Sequence, residues 1–529
     1  MDCSCIRQTE LPGTSRLFAD FTYHPDRVSE FYPWATCGGE AFAEAARQIQ
    51  DPAQYPGARR SALIASLREQ NGDSPLLDRL SRPGTVAVVT GQQVGFLSGP
   101  AYTIYKALTA VVLAERLTAR GIDAVPVFWL ATEDHDFAEV NHVWVYNQDH
   151  QPARLDAVAS PEANQPVGGI PLGSFDWNQL KSALGTLPFA DDVLRLGADA
   201  YTPGTTLGQA FRSLVSAILG EHRLLYVDPL ADSIRALAAP LLRDAVIAEP
   251  QLNQKLLDRN KELIAAGYHA QVHVEAQTSL VFLLENGRRQ NLRRQNGHYI
   301  AAGSIVQASD IAARPEHLSP NALLRPVVQD YILPTVAYVG GPAELAYLAQ
   351  SQVIYGELLG RQPVALHRTG FTVLDSRSRK LMERYALCLP DFFHGEEALR
   401  ERIAAKLVPP SLQQLLAETQ STAAGAIGRL SEELERFDPT LAKAAARSRR
   451  KMEHQVSKIA GKVARQILQR DQTTAQHAAS LNGLLYPHKH LQERLYSILP
   501  LLAEHGPDLA SRIYEHVQLD CPDHQLVTV

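Results

Sequence analysis

The stretch from Val86 to Leu130 constrains the fold more than any other part of the chain. Val86–Val89 is apolar and rich in β-branched residues, as a buried strand requires. Thr90-Gly91-Gln92-Gln93 follows, with glycines at 91, 95 and 99 and a proline at 100. Ile104, Leu108, Val111 and Leu117 then recur at helical spacing, which predicts a helix over Tyr102–Arg120 ended by Gly121. Val125–Leu130 is a second apolar run. Strand, helix and strand in this order make a βαβ unit, hence a parallel sheet. The predicted class is therefore α/β, a Rossmann-like parallel sheet core.

In such sheets ligands bind beyond the carboxyl ends of the strands. The first candidate site is the turn itself. Free backbone N–H groups and a helix N-terminus favour an anion there, and glycines let a substrate approach the backbone. Thr90, Gly91, Gln92, Gln93, Gly99, Tyr102 and Lys106 are its candidate binding residues, although Lys106, about two turns into the helix, need not reach the turn. An ordinary glycine turn is the plainer explanation. The spacing matches neither G-x-G-x-x-G nor a phosphate-binding loop.

The second candidate is Ala131–His142, ATEDHDFAEVNH, just past the second strand. Glu133, Asp134 and Asp136 flank His135. Carboxylates this close repel unless a cation or ammonium group joins them. They suit Mg²⁺ or a substrate amine, with His135 as a general base. Helix capping by Thr132 or Asp136 is the alternative. The third is Ser319–Gln350, where a strand over Thr335–Val339 again runs into glycines, a proline and a helix. Gly340, Gly341, Tyr338 and Glu344 belong to this turn, and Asn321, Arg325 and Asp330 to the helix before it. Arginine suits a carboxylate or phosphate; a structural ion pair is the alternative. His367-Arg368 ends a further strand, Val364–His367, and ranks lower. His488, Lys489, His490 and Arg494 form a basic cluster able to meet nucleotide phosphates, or simply a solvated face.

Insertions are predicted near 150–222 and 268–310 within a core spanning 1–390. A strand is expected at Leu224–Asp228, helices at 231–247 and 251–266, and a hairpin turning at Asn286-Gly287, where both turn residues need positive φ. From about 408 to 475 the pattern changes. Leu416, Ala423, Ile427, Leu430 and Leu434, then Met452, Val456, Ile459 and Val463, lie three, four or seven apart, broken by Asp438-Pro439. That predicts a coiled-coil helical hairpin, and its apolar seam favours a homodimer. Residues 476–529 read as a helical segment returning to the core.

The net charge of −6 argues against nucleic acid as a partner. No apolar run is long enough to cross a membrane, and the N-terminus has no signal-peptide pattern. The five cysteines are Cys3, Cys5, Cys37, Cys388 and Cys521, sparse and scattered as in a reducing, cytoplasmic setting. Cys3 and Cys5 form a CxC on an expected loose terminus, with no second cluster to complete a metal site.

TGQQ with GPAYTIYK, VPVFWLATEDHDFAEVNH, SPNALLRPVVQDYILPTVAYVGGPAE and the LQER of Leu491–Arg494 together resemble the bacillithiol-biosynthesis cysteine-adding family, BshC. The resemblance covers most of the chain. It implies a Rossmann-like core with inserted segments, a coiled-coil arm used for dimerisation, and a cysteine ligase that joins cysteine to glucosaminyl-malate. The product would be an amide between the cysteine carboxyl and the sugar amine. It also implies kinship of the core with nucleotidylyltransferases and class I aminoacyl-tRNA synthetases. Those carry a histidine-glycine motif where this chain has Gly91-Gln92-Gln93, and a K-M-S-K-S loop that it lacks. Activation by ATP and Mg²⁺ is expected on chemical grounds, because a cysteine carboxylate is not electrophilic. A nucleotidyl- or glycosyltransferase, or a dimeric protein with a regulatory nucleotide site, remains open from the residues alone.

Overall fold

A computed structural model of the chain describes every residue except 1, 35–37, 221, 223, 296, 302 and 471; Cys37 lies outside the described residues. The chain forms two units. One comprises Met1–Gln148, Pro152–Val373 and Glu493–Val529; the other comprises Asp149–Gln151 and Leu374–Gln492. The first boundary thus falls before residue 390, and the return to the core begins after 476.

The first unit is built on five strands: β1 (Val86–Gln92), β2 (Ala124–Leu130), β3 (Leu225–Val227), β4 (Thr335–Gly340) and β5 (Val364–His367). Their order is β5-β4-β1-β2-β3, and every neighbouring pair is parallel. The chain winds outward from β1 in one direction, then returns to the other side of β1 as β4. The crevice between β1 and β4 is therefore a topological switch point, where doubly wound sheets hold ligands. Alternation along β1 sends Val86 and Val88 into one core with Leu113, Leu117 and Val339, and Ala87 and Val89 into another with Val125, Val127 and Leu241. Burial on both faces explains why these strands read as continuous apolar runs.

Three helices frame the crevice: α1 (Tyr102–Ala119), α2 (Arg325–Ile332) and α3 (Pro342–Leu358). Pro342 opens α3 at a position where its missing N–H costs nothing. The segment between β2 and β3 carries an antiparallel pair, His142–Tyr146 with Pro152–Asp156, and, among the described residues, four α-helices. The segment before β4 adds an antiparallel sheet, in which Thr278–Glu285 and Arg288–Gln295 pair through Asn286 and Gly287, at φ 53° and 71°. That is the hairpin the sequence predicts.

Two expectations change. Residues 231–247 and 251–266 form one helix, Asp232–Ala265, that runs through Pro240 and Pro250. Each proline removes a backbone hydrogen bond, but the apolar face of Leu241, Leu242, Val246, Leu252 and Leu256 is buried along its length. The N-terminus is not loose: Asp2–Ile6 pairs antiparallel with His524–Thr528.

In the second unit, Pro410–Phe437 and Pro439–Arg470 form the expected long hairpin, turning at Asp438. No residue of Pro410–Phe437 is buried within the chain. Among the described residues no helix is long and apolar enough to cross a membrane.

Candidate active site

A cavity of about 610 Å³ opens at the carboxyl ends of β1, β2 and β4. It brings together the three stretches singled out in the sequence. Gly91, Gln92, Gln93, Tyr102 and Lys106 line it from the first; Glu133, Asp134 and His135 from the second; Asn321, Arg325, Gly341 and Glu344 from the third. Arg494 also lines it.

The glycine turn does not act as an anion cradle. The Gly95 N–H donates to Gln93 O, the Gly99 N–H to Phe96 O and the Ala101 N–H to Tyr496 O. A Cβ on Gly95 would lie 2.8 Å from Gly99 Cα, and one on Gly91 would lie 2.8 Å from Trp129 O. These glycines let backbone approach backbone, not substrate. Gly99, at φ +61°, is outside the cavity wall. Thr90 is fully buried and donates to Val339 O, so it ties β1 to β4 and does not meet a ligand.

Lys106 does reach the turn. Helical side chains lean toward the N-terminus, and its ammonium donates to Gly91 O, to Gln92 Oε1 at 3.3 Å and to Glu344 Oε2 at 2.7 Å. Its three donors are used, so Lys106 is a positioning residue that joins β1, α1 and α3. Glu344 also accepts from the Gly341 N–H at 2.8 Å and from Tyr338 Oη at 2.6 Å. That closes the N-terminus of α3 to an external anion. Burial pushes the Glu344 carboxyl up, but Lys106 outweighs it and holds Glu344 below the ordinary range. Tyr338 and Gly340 support this cluster from outside the wall.

The acidic stretch separates into distinct roles. Asp136 caps the short helix Phe137–Val140 by accepting from the Glu139 N–H, and is not part of the wall. Asp134 accepts from Gln93 Nε2 at 2.6 Å and from the His135 N–H at 2.7 Å, and lies 3.7 Å from Arg289. Burial raises its pKa, but Gln93, Arg289 and the backbone donors together bring it below the usual carboxylate value. Glu133 differs. It is buried, and burial lifts its carboxyl to about 7 against the pull of Arg289, Arg235 and Ser319. Adjacent carboxyls driven apart in this way divide into a fixed charge and a proton carrier. His135 Nδ1 lies 3.1 Å from Arg289 Nη1. A guanidinium only donates, so Nδ1 accepts and the ring proton sits on Nε2. Burial, then Arg289, lowers the His135 pKa. His135 is thus a neutral hydrogen-bond donor, which displaces the general-base role expected for it.

Arg289 escaped the sequence reading. It follows the Asn286-Gly287 turn at an inward strand position, the one signal available for it. It also donates to Ser319 Oγ at 3.0 Å and Pro320 O at 2.7 Å, and lies over the Phe282 ring at 3.8 Å. Arg368, ranked low, lines the cavity as well, but Glu493 holds it through two hydrogen bonds of 2.8 and 2.5 Å. Arg325 is held by neutral oxygens alone: Gln329 Oε1 at 3.1 Å, Tyr347 Oη at 2.7 Å and Tyr338 Oη at 3.3 Å. Asn321 spends its Oδ1 on the N–H groups of Leu323 and Leu324 and its Nδ2 on Ser279 O. Asp330 is fully buried, bonded to Tyr355 and Gln329, and structural. His490 is exposed, in the second unit, and outside the wall.

The residues do not fit a carboxylate cage for Mg²⁺. Among the described residues Glu133, Asp134 and Asp136 do not gather three ligand atoms within 4.8 Å, and Asp134 is already surrounded by donors. In the two glycine turns the N–H groups of Gly95, Gly99, Ala101 and Gly341 are already spent within the chain. Anion recognition here falls to arginine: among the described residues neither Arg325 nor the exposed Arg494 makes a direct ion pair with a carboxylate, although Glu344 acts on Arg325 and Arg494 on Glu493 at longer range.

Residues 1–369 match the family model described as bacillithiol biosynthesis BshC, N-terminal Rossmann-like domain, and residues 371–529 match the BshC C-terminal coiled-coil domain. A protein of Solibacter usitatus named "Putative cysteine ligase BshC" is 54% identical over 529 residues, covering 100% of both chains. Proteins of the same name from Koribacter versatilis and Salinibacter ruber are 38% and 30% identical, each covering at least 96% of both chains. With matched domains spanning nearly its whole length and relatives aligned end to end, the chain belongs to the BshC family of bacillithiol biosynthesis.

Proposed function

We propose that the protein is a ligase that joins cysteine to glucosaminyl-malate by an amide bond between the cysteine carboxyl and the sugar amine. The observation that carries this reading is the pairing, in one cavity, of a proton carrier near neutrality with two arginines, Arg325 and Arg494, that make no direct ion pair with a carboxylate among the described residues. A sugar amine bearing a dicarboxylate has matching chemistry: one ammonium to deprotonate and two anionic groups to hold.

Asp134, ionised throughout the neutral range, attracts the ammonium. Glu133, ionised above about pH 7, takes its proton, because only the neutral amine is nucleophilic. The amine nitrogen attacks the activated acyl carbon, the leaving group departs with its bonding pair, and the amide remains. His135 Nε2–H and Arg289 supply donors for negative charge building on the acyl oxygen. Arg325 and Arg494 pair with the malyl carboxylates. ATP is the proposed source of the activated acyl group, and any Mg²⁺ would be carried on the nucleotide's phosphates and not by a carboxylate cage of this chain.

The test is a turnover assay with cysteine and glucosaminyl-malate, with and without ATP and Mg²⁺, read by mass spectrometry. The reading expects the amide only with ATP, alongside AMP or ADP. Absence of the amide under every condition would overturn it.

The arm supports a homodimer. Leu430 is 55% exposed and Phe437 84% in a single chain, apolar surface that a coiled-coil partner would cover. Light scattering should give twice the chain mass for the full protein and a single chain mass once 410–470 is deleted. A monomeric full-length protein would contradict this.

A further inference from the structure

We propose that Cys5 and Cys521 form a redox-active pair that closes to a disulfide and staples the two ends of the chain together. The two sulfurs lie within 4.8 Å of each other, with Asp523 beside them. Neither cysteine is disulfide-bonded; Cys5 is exposed and Cys521 half-buried.

The pair is 516 positions apart in sequence and meets only because the terminal strands do. Asp2–Ile6 and His524–Thr528 are in antiparallel register, with Cys5 opposite Gln525 and Ile6 opposite His524. Asp2–Ile6 is the outer strand of its sheet, so Cys5 has room to shift the last few ångströms to a bonded S–S distance of about 2 Å. The setting favours a disulfide over a metal. Asp523 is already engaged, accepting from Tyr23 Oη at 2.6 Å, and two thiols with one committed carboxylate fall short of the four ligands of a closed zinc site. Exposure of Cys5 admits a small-molecule oxidant.

The chemistry is thiol–disulfide exchange with a low-molecular-weight disulfide, RSSR. The Cys5 thiolate attacks one sulfur and expels one RS⁻, which takes up the proton that Cys5 released. Cys521 then attacks Cys5 Sγ of the mixed disulfide and expels the second RS⁻, which is protonated in turn. Both cysteine sulfurs are oxidised, and one RSSR is reduced to two RSH. The staple would fix the strand whose His524 bonds Thr372 and whose Gln525 N–H donates to Gly370 O, four and two residues respectively from the cavity residue Arg368.

The experiment treats the purified full-length protein with oxidised glutathione, blocks remaining thiols with iodoacetamide, and maps peptides by mass spectrometry. The expected result is a peptide pair joined through Cys5 and Cys521, lost on reduction, with Cys388 alkylated or carrying glutathione. Cys521→Ser should instead leave a stable glutathione adduct on Cys5, a readout independent of stability. Full alkylation of both thiols after oxidation would overturn the proposal. So would zinc that co-purifies in equal amount and shields both thiols until chelated.

Discussion

Glu133→Gln is expected to lower turnover by about 10²–10⁴-fold while the protein remains folded and still binds the sugar acid. The amide keeps the size and hydrogen-bonding surface of the side chain but cannot take a proton. The pH profile separates this role from a structural one. In the wild-type protein, kcat should rise about tenfold per pH unit below 7 and level off above it, following ionisation of a carboxyl lifted to about 7. The variant should lose that limb. The same shift makes a stability prediction of opposite sign. The folded-state pKa lies above the ordinary 4.5, so between those values the folded protein holds a proton that the unfolded chain releases. Glu133 therefore costs nothing below about pH 4.5, costs progressively more as pH rises to 7, and costs about 3 kcal/mol above it. Gln cannot ionise. At pH 8 the variant should be more stable than wild type by up to that amount, read as a higher denaturant midpoint. An inactive but stabilised variant marks a group retained for chemistry. Equal turnover, or a variant destabilised at pH 8, would remove Glu133 from the mechanism.

The second large effect concerns Glu493, to which the sequence gives no role within the LQER segment. Glu493→Gln should destabilise the protein by about 3–5 kcal/mol. Arg368 and Glu493 are each 3% exposed at the side chain. The carboxylate takes two hydrogen bonds from Arg368 and a third from the Phe371 N–H at 3.0 Å. An amide cannot neutralise Arg368, which is then left as an uncompensated buried charge. Burial pushes Glu493 up, but Arg368 outweighs it and brings the carboxyl to about 2. The sign follows: a carboxyl depressed on folding stabilises fully above its ordinary pKa of 4.5, and that contribution is lost as pH falls toward 2. The gap between wild type and variant in guanidinium midpoint should therefore narrow through that acid window. A loss below about 1 kcal/mol at neutral pH would place the pair with ordinary surface ion pairs. Because Arg368 lines the cavity and its guanidinium lies 5.1 Å from the Tyr102 ring centroid, turnover should fall as well.

What the sequence discloses, and what it hides, divides by range. Val86–Val89, the periodic helix after Pro100 and the Asn286-Gly287 turn are local patterns, and each appears in the structure close to where periodicity and turn chemistry place it. The convergence of Gln93 on Asp134 also follows, since adjacent parallel strands bring their carboxyl ends together. Long-range partners have no such signature. Arg289 lies 154 residues from His135, and strand alternation after the Asn286-Gly287 turn hints that it faces inward but not which residues it meets. The glycines at 91, 95 and 99 were legible as a turn, but not the destination of their N–H groups, which the chain itself consumes. That Lys106 reaches the turn follows from the lean of helical side chains toward the N-terminus, which residue spacing alone does not show. The gap expected between 247 and 251, where Pro250 lies, is bridged because one long apolar face is buried along the whole helix.

The most direct test of the central claim is a crystal structure of the protein with glucosaminyl-malate bound. The account predicts the sugar acid in the cavity between β1 and β4, its amine within hydrogen-bonding distance of the Glu133 carboxyl and its malyl carboxylates on Arg325 and Arg494. A ligand seated elsewhere, or one that turns its malyl group toward Glu133, would contradict it.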